Sequence, residues 1–408
     1  MAESGSIGSR IRFYRRRLGM TQEVLAGRAG VSPTWLSQVE RGLRSGSRLA
    51  TLLPVAEVLG VDLAALVDTP RRRVPGPSGR VNGVRDLVEA LLRHPDRFPD
   101  APDTELGSLG RRLEHAEGLV RLCRFQEAGP LLGSLIGDAE AAVRAHETTE
   151  REEAAYALLS HVYRASTWAL VRAGEEQGPR WVASERCSAA ARRSGDPVVT
   201  GLAADHRSNV YARTGLVAEA REVLMRAIDA LAPAAEATEQ PLGPWLTPEP
   251  AAVWGSLLLG AAIWAAHAND RADAHRLLRR AEATASRVRR DDDLFGLTGT
   301  AVYRVACAVQ LGDLSDALRL GAAIDTSHLD SFDRSRPAAL RVHMAQAHEL
   351  RGEDADALLW LTEAERLAPE WIRGGRAEVR EMVGAMLRRE RRRRPGLREL
   401  ADRVGVVD

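Results

Sequence analysis

The sequence predicts an all-α chain: an N-terminal bundle of five short helices, followed by an α-solenoid of paired helices. Three observations predict it. Between residues 6 and 68, helix caps and turn residues recur at short intervals. From residue 84 onward, apolar residues recur with helical period, and no stretch alternates as a strand does. Four segments of the second half repeat one small and apolar pattern at i, i+4, i+7.

The bundle is marked by its punctuation. A first helix runs from Ile7 to about Leu18 and stops at Gly19. Thr21 caps a second helix, with Glu23 in its acidic first turn and Leu25 and Ala26 facing inward. Gly30 supplies a tight turn. Ser32 caps a third helix whose first position is Pro33, where a missing N–H is harmless. Ser47 and Asp62 start the fourth and fifth helices.

The set Thr21-Gln22, Ala26, Gly30-Val31, Leu36 and Val39-Glu40-Arg41-Gly42 resembles the XRE, or Cro/repressor-type, helix-turn-helix family. The resemblance covers about one sixth of the chain and implies DNA binding. In that family the helix after the turn enters the major groove and the helix before it crosses the phosphate backbone. It follows that Gln22 would bond a phosphate, and Pro33, Thr34, Ser37 and Gln38 would face base edges. Trp35 and Arg41 would lie toward the backbone, with Arg44 just beyond. Pro33 departs from the common pattern because it cannot hydrogen-bond a base. Direct readout is then left to Thr34 and Gln38, and Gln pairs bidentately with adenine.

Charge is divided to match. Residues 1–80 hold 13 arginines against six acids, a net of +7, while the remaining 328 residues hold 44 against 50, a net of −6. Arginine contacts to phosphate supply most non-specific DNA affinity and make it salt-dependent. The acidic remainder should stay off DNA.

Residues 69–83 (TPRRRVPGPSGRVNG) read as a basic, flexible linker. Arg71, Arg72 and Arg73 either extend the phosphate contacts or are merely solvated. The solenoid is placed at 84–387. Its repeats start from Gly215, Asn269, Gly312 and Gly352, with a looser copy from Arg124. Each of the four carries a small residue (Ala220, Ala274, Ala317, Ala357). Four residues on stands Leu224, Leu278, Gly321 or Leu361, and three further Ala227, Ala281, Ile324 or Ala364. Pro369 ends the last copy. The pattern resembles tetratricopeptide repeats, best at 341–369, with Ala345 and Ala357 at the close contacts. The anchoring alanines lie 54, 43 and 40 residues apart, so helices or loops are longer than in a regular repeat of roughly 34 residues.

A repeat solenoid carries a concave face lined by the first helix of each pair. There Asp205, Asn209 and Arg213 form one polar stripe, opposite Ala204, Ser208 and Tyr211. An amide beside an arginine suits a peptide backbone or a carboxylate. His267, Gln310, His343 and Gln346 are the candidates for later turns of the same groove. The bland alternative is a solvated face paired along the helix.

Residues 388–408 hold Arg388, Arg389 and Arg391 to Arg394, then a short capping helix in PGLRELADRVGV. The block reads as a solvated tail, with a second DNA-touching patch as the alternative.

Lysine is absent, which excludes a Walker A loop and Schiff-base chemistry. No H-E-x-x-H, C-x-x-C or G-x-S-x-G motif occurs, so no enzyme, cofactor or metal is expected. Cys123, Cys187 and Cys307 sit far apart in apolar helical patterns and read as buried thiols of a reducing cytoplasm. Residues 251–268 carry no charge, but Ala and Gly dominate them; they read as a buried repeat helix and not as a membrane span.

An XRE-type reader followed by such repeats resembles peptide-responsive regulators of the Rgg/PlcR type, used in quorum sensing. The resemblance implies a cytoplasmic homodimer on a palindromic operator in double-stranded DNA. A signalling peptide or small molecule would act on its repeat domain. The rival expectation is a repeat scaffold that recruits a partner protein, with DNA binding secondary.

Overall fold

The structure, a computed structural model, describes residues 7–18, 20–41, 49–59, 84–100, 104–174, 177–236, 248–288, 295–327, 333–374, 377–390 and 394–406. Among the described residues the chain is helical and contains no strand. The expected fifth helix of the bundle, Gly42, Ser47, the 69–83 linker and Arg391–Arg393 lie outside them.

Four helices of the N-terminal unit are described: α1 (Ile7–Arg17), α2 (Gln22–Arg28), α3 (Pro33–Glu40) and α4 (Leu49–Leu59). Their starts follow from capping chemistry. The Thr21 hydroxyl accepts from the Val24 N–H at 3.2 Å, and the Ser32 hydroxyl from the Trp35 N–H at 3.0 Å. Gly30 turns the chain between α2 and α3 at φ +64°, a conformation a side chain strains. Ile11, Leu25, Ala26, Leu36, Val39, Leu52, Val55 and Leu59 close one small core.

The rest is a stack of helix pairs. The pairs are α6 (Leu106–Arg121) with α7 (Phe125–His146), α8 (Glu152–Ala173) with α9 (Gln177–Arg193), and α10 (Pro197–Arg213) with α11 (Val217–Glu236). Then come α12 (Pro250–His267) with α13 (Arg271–Ala285), α14 (Leu297–Leu311) with α15 (Leu314–Ala322), and α16 (Ser335–Arg351) with α17 (Asp354–Leu367). A helix α5 (Val84–Leu92) packs on α7 at the start. The short helices α18 (Pro369–Arg373), α19 (Ala377–Arg389) and α20 (Pro395–Val404) close the end.

The repeat has a backbone signature. Cys123, Gly215, Asn269, Gly312 and Gly352 each stand five residues before the packing alanine, and all five have φ between +58° and +94°. Asn substitutes for Gly because its short side chain tolerates the left-handed region. Cys123 does the same job. It lies in a turn and not within a helix, as its apolar surroundings suggested. Ala220, Ala274, Ala317 and Ala357 are each 0 % exposed, as is Ala128 in the looser first copy. Leu132 and Leu135 then complete that copy at the same spacing. Gly321 departs from leucine because the Met344 sulfur of the next pair fills its place: an added Cβ would lie 2.1 Å from it.

Helix α12 is the described helix long and apolar enough to cross a membrane, and 78 % of it is buried. Its Trp254, Leu257, Leu258, Ala261, Ala262 and Ala265 form the centre of a core, and the indole N–H of Trp254 donates to the Ile228 carbonyl at 3.0 Å. All three cysteines are free and buried.

Candidate nucleic-acid interface and concave groove

At the N-terminal unit the third helix is braced from below. The Arg15 guanidinium forks onto Glu40, Nε to Oε1 at 2.5 Å and a terminal nitrogen to Oε2 at 2.7 Å, and also donates to the Met20 carbonyl. Gln22 Nε2 donates to the same Glu40 Oε2 at 2.7 Å. Burial alone would push the Glu40 carboxyl up. The hydrogen bonds of Arg15 and Gln22, with the charges of Arg15 and Arg12, hold it below the ordinary range. An ionised Glu40 thus ties α1 and α2 to the last residue of α3. The Gln22 amide nitrogen has a second N–H beyond this bond.

The expected DNA contacts divide into three groups. Pro33 and Thr34 are exposed, and Ser37 and Gln38 are half-buried, along one side of α3. Arg41 is exposed just past the helix end, its Nε donating to the Ser37 carbonyl at 3.2 Å. Trp35 is a correction: its side chain is in the core, 7 % exposed, among Ile11, Leu36 and Val39. Position 35 faces inward because it precedes Val39 by one helical turn. Arg44 lies outside the described residues.

In the repeats, the first helices of successive pairs pack on one another, while the second helices pack chiefly on first helices. The first helices therefore form a continuous inner wall. Arg164, Asp205, Gly260, Tyr303 and His343 stand at one level of it, each nine or ten residues before the glycine or asparagine that ends its helix turn. Asp205 is half-buried, and an added Cβ on Gly260 would sit 3.2 Å from its Oδ1. The glycine lets the carboxyl lie against the next helix. Burial pushes that carboxyl up to about 7, against the lowering pull of Arg164. Tyr303 is 37 % exposed, yet burial and the charge of Asp205 push its phenol up to about 12. Asp205 and Tyr303 thus stand close enough on this wall to affect each other's ionisation, and both reach solvent.

The expected groove residues are spread over this wall. Asn209 is half-buried, and its amide donates to the Asp205 carbonyl at 3.0 Å. Arg213 is exposed at the helix end, so the expected Asp205–Asn209–Arg213 set spans two depths. His267 is half-buried, bonded through Nδ1 to the Ile263 carbonyl at 2.8 Å and set edge-on to Trp264. Gln310, His343 and Gln346 are half-buried. The packing set changes too: Ser208 is buried, whereas Ala204 and Tyr211 are half-buried and Tyr211 stacks on Trp181.

Sequence reasoning missed Arg164 and Tyr303 of this wall and Arg336, whose charge acts on Tyr303. Tyr303 and Arg336 each precede a named candidate, Gln310 and His343, by seven residues on the same helix face; that was the available signal. In the terminal arginine block, Arg389 is bound to Glu349 and Asp354, both at 2.7 Å, and so braces α19 against α16 and α17. Leu397, Leu400, Ala401 and Val404 of α20 join the core of the last pair.

Comparison with known proteins agrees with the first unit. A family model described as a helix-turn-helix domain matches residues 6–69. The uncharacterized HTH-type transcriptional regulator y4dJ of Sinorhizobium fredii is 41 % identical over 69 residues, 17 % of this chain and 87 % of that protein. The HTH-type transcriptional regulator RamB of Mycobacterium tuberculosis is 34 % identical over 88 residues, 22 % of this chain; the match spans about a fifth (18 %) of RamB. Among solved structures, aspartyl phosphate phosphatase F from Bacillus subtilis aligns over 90 % of this chain and 95 % of its own, with TM-score 0.44 and 10 % identity.

Proposed function

The chain belongs to the HTH-type transcriptional regulators, and from that premise we propose that it is a sequence-specific DNA-binding regulator whose repeat domain senses an effector. The observation that carries the reading is the presentation of α3. Ser32 caps its start, Glu40 anchors its end to Arg15 and Gln22, and Thr34, Ser37 and Gln38 are left on the open side. A helix fixed at both ends presents base-reading side chains with little backbone ordering left to occur on binding. The net charge of +7 on residues 1–80 supports the same reading.

The chain acts in the cytoplasm as a homodimer on a palindromic operator, with half-sites about one helical turn apart. The sensor is the concave wall of the repeats, and a peptide or small molecule is its ligand. The test is DNA binding by the full chain on a selected site and on random DNA. Gln38→Ala should cost about 1–3 kcal/mol on the selected site and little on random DNA. Equal losses on both would remove Gln38 from base readout.

A further inference from the structure

The inner wall holds a carboxyl with no match among the described residues. Among the described residues, no side chain donates a hydrogen bond to the Asp205 carboxyl oxygens. The arginines near it are engaged with other groups. Arg164 is paired with Glu117 through a terminal nitrogen, its buried Nε having no hydrogen-bond partner, and Arg336 stands by Asp333 and across Gly299. Arg172 lies over the rings of Trp168 and Trp371 and donates to the Val120 carbonyl. On its own helix His206 is buried and held neutral, as is His161 on α8; both are pushed down by burial. From α12 the facing position is Gly260, and from α14 it is Tyr303, whose hydroxyl has no hydrogen-bond partner among the described residues.

We propose that Asp205 anchors the protonated amine of an effector on the inner wall, with the ring and hydroxyl of Tyr303 as its second contact. The inference rests on the reading of the repeat domain as a sensor and names the chemistry it takes. A carboxylate that is enclosed, reachable by solvent and unpaired lacks a cation. An ammonium group supplies the charge and hydrogen bonds, and a tyrosine face adds attraction for it. Glycine at 260 lets the carboxyl lie against α12. Arg172 and Arg336 offer no competing site for an anion while their own partners hold them.

Asp205 also predicts its own cost in the free protein. Its folded carboxyl is raised, to about 7, from an ordinary value of 3.8. Stability contributed by the protonated form is therefore present at low pH and lost as pH rises from about 4 to about 7. Asparagine at this position removes the unpaired charge.

The experiment is thermal unfolding of the full chain at pH 8 and matched ionic strength, with n-propylammonium, tetra-alanine or N-acetyl-tetra-alanine as probes. Asp205→Asn alone should raise the midpoint by about 2–4 °C. Propylammonium and tetra-alanine should raise the wild-type midpoint and leave Asp205→Asn unmoved, and acetylation should abolish the peptide's effect. Tyr303→Leu should weaken the response several-fold. A response to propylammonium alone identifies a small amine as the source of the ammonium, and a response to tetra-alanine alone a peptide N-terminus. Equal shifts in wild type and Asp205→Asn, or no shift with either amine, overturn the assignment. Operator affinity measured with the bound amine separates the two readings. An Asp205-dependent shift without a change in DNA affinity keeps the site and sinks the sensor.

Discussion

Arg15 on the first helix and Glu40 at the end of the third form a two-pronged buried ion pair, with side chains 10 % and 1 % exposed. The pair fixes where the reading helix ends. Breaking a buried pair from one side leaves an uncompensated charge, so Glu40→Ala should destabilise the N-terminal unit by about 3–5 kcal/mol. Its pH dependence has a definite sign. The Glu40 carboxyl is depressed below its ordinary value of 4.5, so its stabilisation is present above about pH 4.5 and lost as pH falls through the lower folded value. Hydrogen exchange of the α1–α3 amides against pH measures this. Unchanged protection in Glu40→Ala would contradict it.

Arg41 is exposed at the end of the reading helix and suits a phosphate. Arg41→Ala should weaken binding to all DNA alike and lower the salt slope of log K by about 1. A sequence-dependent loss with an unaltered slope would make Arg41 a base reader instead.

Two glycines test packing. A Cβ on Gly8 would meet the Val39 carbonyl oxygen at 1.8 Å, a backbone atom that cannot move aside. Gly8→Ala should therefore abolish DNA binding by prising α1 from α3. A Cβ on Gly321 meets the flexible Met344 side chain. Gly321→Ala should cost about 1–3 kcal/mol, and Met344→Ala in the same chain should recover part of it. Additive losses in the double variant would refute the clash as cause.

Asn209 donates to the helix carbonyl one turn back, a bond whose loss costs roughly 0.5–1.5 kcal/mol and which alanine's helix propensity partly offsets. Asn209→Ala should therefore shift the unfolding midpoint little and diminish the effector response. A fall of many degrees would mark Asn209 as a structural amide and remove it from the groove.

Much of the fold is legible in local chemistry. Thr21, Ser32 and Pro33 mark helix starts because capping involves only neighbouring residues. The alanines 220, 274, 317 and 357 mark repeats because close helix approach needs small side chains at one spacing. Cys123 was not legible as a turn, since its left-handed backbone is imposed by the helices on either side.

The candidate sites were legible by degrees. Thr34, Ser37 and Gln38 could be placed on an open face by helical period alone, but the same period cannot say which way the face points. Trp35 therefore joined the DNA contacts, when its ring belongs to the core.

The sequence alone determined the helical class, the repeats from Gly215 onward and the division of charge, because caps, periods and composition act over a few residues. The tertiary structure decided the depth of each polar group. Arg164, Asp205, Gly260 and Tyr303 come from four helices spread over some 140 positions, and no local rule aligns them. Only stacking of successive first helices brings them to one level. Only there does enclosure, and not residue type, push the Asp205 carboxyl up.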